Sequence, residues 1–315
     1  MNPTPRIPVV IDTDPGLDDA IAILIALAAP EFDVLGLTTV AGNLPLAVTT
    51  ANALRLVEAC GRGDVPVIEG CDRPLLRSPL HCGDIHGPDG LGDGILPPPA
   101  GAPLPGGAVD WLADRLRERP AGAVTICALG PLTNLAMLLD RAPDAASRIG
   151  RIVAMGGAVR APGNVTPHAE FNFLADPEAA DAVIGSGIPV TVVPLDVTRQ
   201  VRTWRPFIDA LRKTGTRIPG IAADLLDAYY GSKGSSAEQT GRPLHDPCVI
   251  ARLLAPRLFE SRKIRLRIEI RNPEKLGQSV EDEAGTPVDA LLDVDREGVL
   301  DLLLKRLTEA PAPAL

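Results

Sequence analysis

The sequence has few aromatic residues, no cysteine pairs and no long apolar run, and each shortage removes a class of function. Aromatics are only 3% of its 315 residues, too few for the stacking platforms that hold single-stranded nucleic acid. Its five cysteines, Cys60, Cys71, Cys82, Cys127 and Cys248, are odd in number, widely spaced and free of any C-x-x-C pair. That argues against a disulfide framework and for reduced thiols in a cytoplasm. The longest apolar run, residues 20–30, falls short of the about 20 residues that span a bilayer. The opening MNPTPRIPVV lacks the apolar core of a secretory leader, so a cytoplasmic location is expected. Positive charge is also in deficit. A net charge of −9 argues against nucleic acid or an anionic membrane as the main partner.

What is present is 45% hydrophobic, enough for a large core, and a dense acidic corner near the start. Residues 9–20 read VVIDTDPGLDDA. The pattern is a buried strand, a Pro15-Gly16 turn and the first turn of a helix that runs to Pro30. Asp12, Asp14, Asp18 and Asp19 crowd this corner, and no Lys or Arg lies between Arg6 and Arg55. Helix capping accounts for one first-turn Asp at roughly 0.3–1 kcal/mol, not for the cluster. Like charges a few ångströms apart repel unless a cation intervenes. A hard divalent ion with oxygen ligands is the simplest neutraliser.

Further strands are expected at 34–40, 66–69, 123–129, 151–155, 190–193, 264–270 and 287–294. Helices are expected at 46–61, 108–119, from 132, 176–184, 204–213, 218–230, near 247 and at 296–307. The alternation predicts an α/β fold: a Rossmann-like, open, mostly parallel sheet with helices on both faces, as one domain over residues 1–315. Such a sheet gathers Asp14, Asn43, Leu129 and Met155 at its carboxyl edge, where ligands bind. Residues 71–107 are rich in Gly and Pro and contain His86; a lid and a plain surface loop both fit so long a stretch. Residues 232–243 read as a second mobile loop. Tyr229 and Tyr230 just before it could face a ligand, although helix-end aromatics more often pack. His168 reads as structural.

Five stretches, DTDPGLDDA at 12–20, AGN at 41–43, ALGPLTN at 128–134, GNVTPHAEFN at 163–172 and LHDP at 244–247, together and in this order resemble the inosine-uridine-preferring nucleoside hydrolases. The resemblance extends to the closing DVDREGVLDLLL. It implies hydrolysis of the N-glycosidic bond of ribonucleosides to ribose and free base, in nucleoside salvage or catabolism, a bound Ca²⁺, and a homodimer or homotetramer. By position it implies metal ligands at Asp14, Asp19 and Asp246 and at the Leu129 carbonyl. Asp18, Asn43 and Asn172 would hold ribose hydroxyls, Asn164 and Glu170 the 5′-hydroxyl, and Met155 would pack on the sugar. Asp14 would be general base, His245 the acid or polariser at the leaving base, and His86 a nucleobase contact.

The chemistry is consistent with those roles. Ca²⁺ takes about 6–8 oxygens at roughly 2.3–2.6 Å, a shell that carboxylates, a carbonyl, water and a sugar diol can complete. An oxocarbenium-like transition state is stabilised by nearby carboxylates, and a histidine can serve the departing base near neutral pH. Two rivals stand beside this reading. One is a non-catalytic nucleoside or ribose sensor on the same fold. The other is a Mg²⁺ phosphohydrolase with an aspartyl nucleophile, which Asp12-x-Asp14 superficially fits, although Pro15 stands where a hydroxyl residue is expected.

Overall fold

The structure, a computed structural model, describes residues 6–231 and 241–310; most of the second expected mobile loop, residues 232–240, lies outside them. The chain runs through strands β1 (Ile7–Thr13), β2 (Phe32–Thr39), β3 (Val67–Glu69), β4 (Val124–Ala128), β5 (Ile149–Met155), β6 (Val190–Val193), β7 (Arg202–Thr203), β8 (Arg242–Pro243), β9 (Phe259–Ile268), β10 (Ser279–Glu281) and β11 (Thr286–Val294). Nine of these form one sheet in the order β10-β9-β11-β6-β5-β4-β1-β2-β3, and β7 pairs with β8 apart from it. From β11 to β3 every pairing is parallel. Only β9 runs against its neighbours, β10 and β11. The expected strand at 264–270 therefore starts earlier and ends earlier. Its first half, residues 260–263, is fully exposed, so it carries no apolar alternation to read. The three residues of β10 are too few to show a period.

Successive strand residues serve opposite faces, as a pleated sheet requires. Val9, Ile11, Cys127, Val153 and Met155 join one apolar cluster. Val10, Ile126, Ala128, Ile152 and Ala154 join the other. With both faces covered, the central strands read as continuous apolar runs. The helix Leu17–Ala28 has 11 of its 12 residues buried. It packs against the helices Arg217–Gly231, Pro247–Leu254 and Arg296–Thr308 from the last third of the chain. Among the described residues no helix is long and apolar enough to cross a membrane.

The strand order reverses beside β1. The chain leaves β1 for β2 and β3 on one side, then returns to β4, β5 and β6 on the other. The segments after β1 and β4 diverge there, opening a crevice at the carboxyl ends of the strands.

Candidate active site

The crevice holds a cavity lined by Asp18, Asn43, Cys82, Ile85, His86, Leu129, Met155, Asn164, Val165, Glu170, Phe171, Asn172, Tyr229, His245 and Asp246. Residues more than 200 positions apart thus share one wall. Of the residues to which the family resemblance gives a role, Asp14 and Asp19 are absent from the lining. They lie directly under it, both fully buried.

The floor is acidic. Oxygens of Asp18, Asp19 and Asp246 lie within 4.8 Å of one another, a spacing that suits a shared cation. The tightest trio therefore contains Asp18, which the motif places on the ribose, alongside the expected Asp19 and Asp246. Asp14 belongs to the same field. Its Oδ2 accepts from the Asn43 backbone N–H at 2.6 Å, while its Oδ1 is buried without a hydrogen-bond partner among the described residues. A Cβ at Gly42 would lie 2.1 Å from Asp14 Oδ2, and one at Gly130 2.3 Å from Oδ1, so both flanking loops can close on this carboxylate only as glycine. Asp19 is fixed by Thr13 Oγ1 at 2.7 Å and by the Gly16 and Asn43 nitrogens at 3.1 Å.

Burial disfavours the charged form of all four acids. It pushes Asp18 up to about 7, with Asp19 adding to the rise. Asp14 and Asp246 stand well above the usual carboxylate range through burial and repulsion from their acidic neighbours. Asp19 is raised by burial against several hydrogen bonds. A lone pair with no donor and four desolvated acids without a facing cation among the described residues form a donor set that fits a hard divalent ion. The Leu129 carbonyl, expected as a ligand, accepts from Asn172 Nδ2 at 2.7 Å and keeps a second lone pair.

The side that the resemblance assigns to the sugar is built from the ends of β4 and β5. Asn172 Nδ2 spans the Leu129 and Met155 carbonyls, at 2.7 and 3.1 Å. Glu170 caps the helix Phe171–Ala175, accepting from the Asn172, Gly157 and Phe173 amides; burial nevertheless pushes it up to about 7. Asn164 is exposed at the rim and accepts from the Phe171 amide at 2.9 Å.

The opposite wall carries the histidines. The segment 71–107 contains a short helix, Gly83–His86, and is tied down: Cys82 N–H bonds the Asn43 carbonyl, and Asn52 Nδ2 bridges the Pro15 and Asp89 carbonyls. His86 Nδ1 accepts from the Leu17 amide at 3.1 Å, which places its proton on Nε2. Its ring stacks on Tyr229 at 6.3 Å, and the Arg242 guanidinium covers the Tyr229 ring at 4.6 Å. His245 Nδ1 pairs with Thr198 Oγ1 at 2.8 Å. Burial, then nearby arginines, pushes His86 down to about 4 and His245 to about 3. Both imidazoles are neutral near pH 7, which favours a hydrogen bond over full proton donation to a bound group.

Of the paired tyrosines, Tyr229 enters the cavity and Tyr230 bonds the Thr203 carbonyl. Helix-end position alone does not distinguish them. Arg242, beside the unread loop, carries no motif that announces it. His81, which has no sequence support, bonds the Gly42 carbonyl through Nδ1 at 2.7 Å.

The sequence profile of the inosine-uridine preferring nucleoside hydrolases matches residues 9–301. The chain belongs to that family. As a nucleoside hydrolase it is an N-glycosyl hydrolase. It is 44% identical over 307 residues to the pyrimidine-specific ribonucleoside hydrolase RihA of Citrobacter koseri, covering 96% of this chain and 98% of the relative. A solved plant nucleoside hydrolase, PpNRh1, superposes with a TM-score of 0.91 at 34% identity, covering 97% of this chain and all of the plant chain. A purine-preferring ribonucleoside hydrolase from Gardnerella vaginalis gives a TM-score of 0.89 at 29% identity, over 96% and 98% of the two chains.

Proposed function

We propose that this nucleoside hydrolase, acting as a single domain, cleaves the N-glycosidic bond of ribonucleosides with Ca²⁺ in the acid floor, and takes uridine before inosine. The observation that carries the reading is the buried Asp14 Oδ1, without a hydrogen-bond partner among the described residues, beside three carboxylates within 4.8 Å of one another. The preference for a pyrimidine is supported by the 44% identity to a pyrimidine-specific relative, against 29% to a purine-preferring one. The family resemblance alone supports a homodimer or homotetramer and a place in nucleoside salvage or catabolism, and the odd, widely spaced cysteines support a cytoplasmic location.

Asp14, Asp19, Asp246 and the Leu129 carbonyl would hold the ion, with Asp18 close enough to share it. A bound Ca²⁺ would supply charge neutralisation for these acids and a grip on a water and the ribose diol. The protein's own groups do the rest. Asp14 takes the proton from the attacking water, because Ca²⁺ is a weak Lewis acid and the water still needs a base. Asp18, Asn43 and Asn172 fix the 2′- and 3′-hydroxyls, Met155 packs on the sugar, and Asn164 with Glu170 takes the 5′-hydroxyl. The surrounding carboxylates stabilise positive charge as it grows on the ring. At the far wall His86 and His245 offer neutral N–H donors to the departing base; His245 does so when Thr198 donates to its Nδ1.

Incubation with uridine, inosine and a phosphate monoester tests the reading. Release of free base, faster from uridine, is expected. Inorganic phosphate from the monoester would favour the aspartyl phosphohydrolase, and nucleoside binding without turnover the sensor; either result would sink the proposal.

A further inference from the structure

The stretch PLDVT after β6 has no part in the motifs that define the site, yet its side chains reach both ends of it. Leu195–Thr198 forms one helical turn. Asp196 accepts from three consecutive amides of the segment after β5: Val159 at 2.9 Å, Arg160 at 2.8 Å and Ala161 at 3.3 Å. Arg199 continues along the same backbone, with Nη1 on the Pro162 carbonyl at 2.6 Å and Nη2 on the Gly163 carbonyl at 2.7 Å. The Leu195 amide adds a bond to the Gly157 carbonyl at 2.9 Å. Asn164 is the next residue in the chain. Between these two anchors Thr198, fully buried, meets His245.

The segment 163–169 closes on itself through Gly163 N–H to the Pro167 carbonyl and Asn164 N–H to the Ala169 carbonyl. Those bonds fix its shape but not where it sits over the cavity. Its position comes from Glu170, the Phe171 amide on Asn164 Oδ1 and the Ala169 bridge to Gln278 at one end, and from Asp196 and Arg199 at the other. The two carbonyls at 162 and 163 lie next to an exposed rim, where water would satisfy them equally well. A planar guanidinium holding both is therefore a geometric constraint more than a source of stability.

We propose that Arg199 is a positioning residue for the 5′-hydroxyl subsite: with Asp196 it holds the Asn164 rim over the sugar, from the same turn that orients His245. The inference rests on the hydrolase reading and on Asn164 and Glu170 taking the 5′-hydroxyl.

The test compares kcat/KM for uridine and 5′-deoxyuridine in the wild type, Arg199→Ala, Arg199→Lys, Asn164→Ala and the Arg199→Ala/Asn164→Ala pair, with melting curves for each. A hydrogen-bonded hydroxyl should favour uridine in the wild type by on the order of tenfold or more. Arg199→Ala is expected to collapse that ratio to within about threefold of unity, mainly by raising KM for uridine, and the double variant to lose no more than Asn164→Ala alone. Lysine, which can hold one carbonyl, should fall between. Thr198→Val should leave the ratio intact. An unchanged ratio in Arg199→Ala overturns the proposal, as do equal losses on both substrates, a collapse in Thr198→Val, or a wild type that hydrolyses uridine without discriminating the 5′-hydroxyl. A wild type that releases no base from any nucleoside is a different failure, that of the hydrolase reading itself.

Discussion

The floor of the cavity is four carboxylates, and its far wall is two imidazoles, a tyrosine ring and a guanidinium. Burial acts on both in the direction of neutrality, raising the acids and lowering the histidines. The wall meets that pressure from inside the protein: His86 accepts an amide hydrogen, His245 pairs with Thr198, and Arg242 lies over Tyr229. The floor does not. Asp14 keeps a buried oxygen with no donor among the described residues, and Asp246 faces Asp18, Asp19 and Asp14. A finished wall beside an unfinished floor indicates where something from outside must bind with charge and where only a hydrogen bond is on offer.

The largest expected effect comes from the floor. Asp14→Asn removes a base and an anionic ligand together, and kcat for uridine should fall by about 10³-fold or more, given that a positioned base alone is typically worth ~10²–10⁴. Turnover within tenfold of wild type would take Asp14 out of the mechanism. The wall should respond selectively. His245→Ala is expected to slow uridine by roughly 10²-fold but a nitrophenyl riboside, whose leaving group needs little help, by under about tenfold; equal losses would argue against leaving-group activation. Gly16→Ala sharpens the contrast, because its Cβ would lie 2.6 Å from His86 Nδ1. A displaced His86 should cost about tenfold in kcat/KM while metal affinity measured by calorimetry stays within a few-fold.

The smallest effect separates floor from wall by pH. In metal-free protein Glu170 and Asp18 titrate at about 7 in the fold, against about 4 in the unfolded chain. Across that interval the folded state binds more protons, so stability falls as pH rises. The histidines have the opposite sign, adding stability as pH climbs from about 3 to their unfolded value near 6.5. Between pH 6.5 and 7.5 the carboxylates outweigh the fading contribution of the histidines, with a slope of at most about 1.4 kcal/mol per pH unit for each carboxylate. Denaturant unfolding in chelator should show stability declining there, and saturating Ca²⁺ should flatten the decline. A rise in stability over that window would contradict the assignment.

How far the sequence discloses this site depends on where its parts sit. The floor is legible because three of its acids lie within six residues on one strand–turn–helix corner, and like charges at that density have no bland explanation. The parallel half of the sheet is legible because strands buried on both faces are apolar throughout. The antiparallel wing is legible only in part: the expected strand at 264–270 meets the second half of β9, whose residues 260–263 are exposed, and β10 spans three residues. The wall is legible only in part. His245 is flagged by its neighbour Asp246, but which tyrosine of the pair faces inward depends on the helix phase set by packing on Leu17–Ala28. The turn at 195–199 acts through backbone groups of another loop, and such bonds leave no spacing in the sequence.

The position of Leu17–Ala28 has a consequence for the nascent chain. This apolar helix is made among the first residues, yet the three helices that cover it belong to the last hundred. Until synthesis passes residue 308, its greasy surface has no permanent shelter, and Asp246, the last acid of the floor, has yet to join the other three. A chain that stalls or is cut short of that point should be both inactive and prone to aggregate, so the same docking event that buries the helix also completes the proposed site.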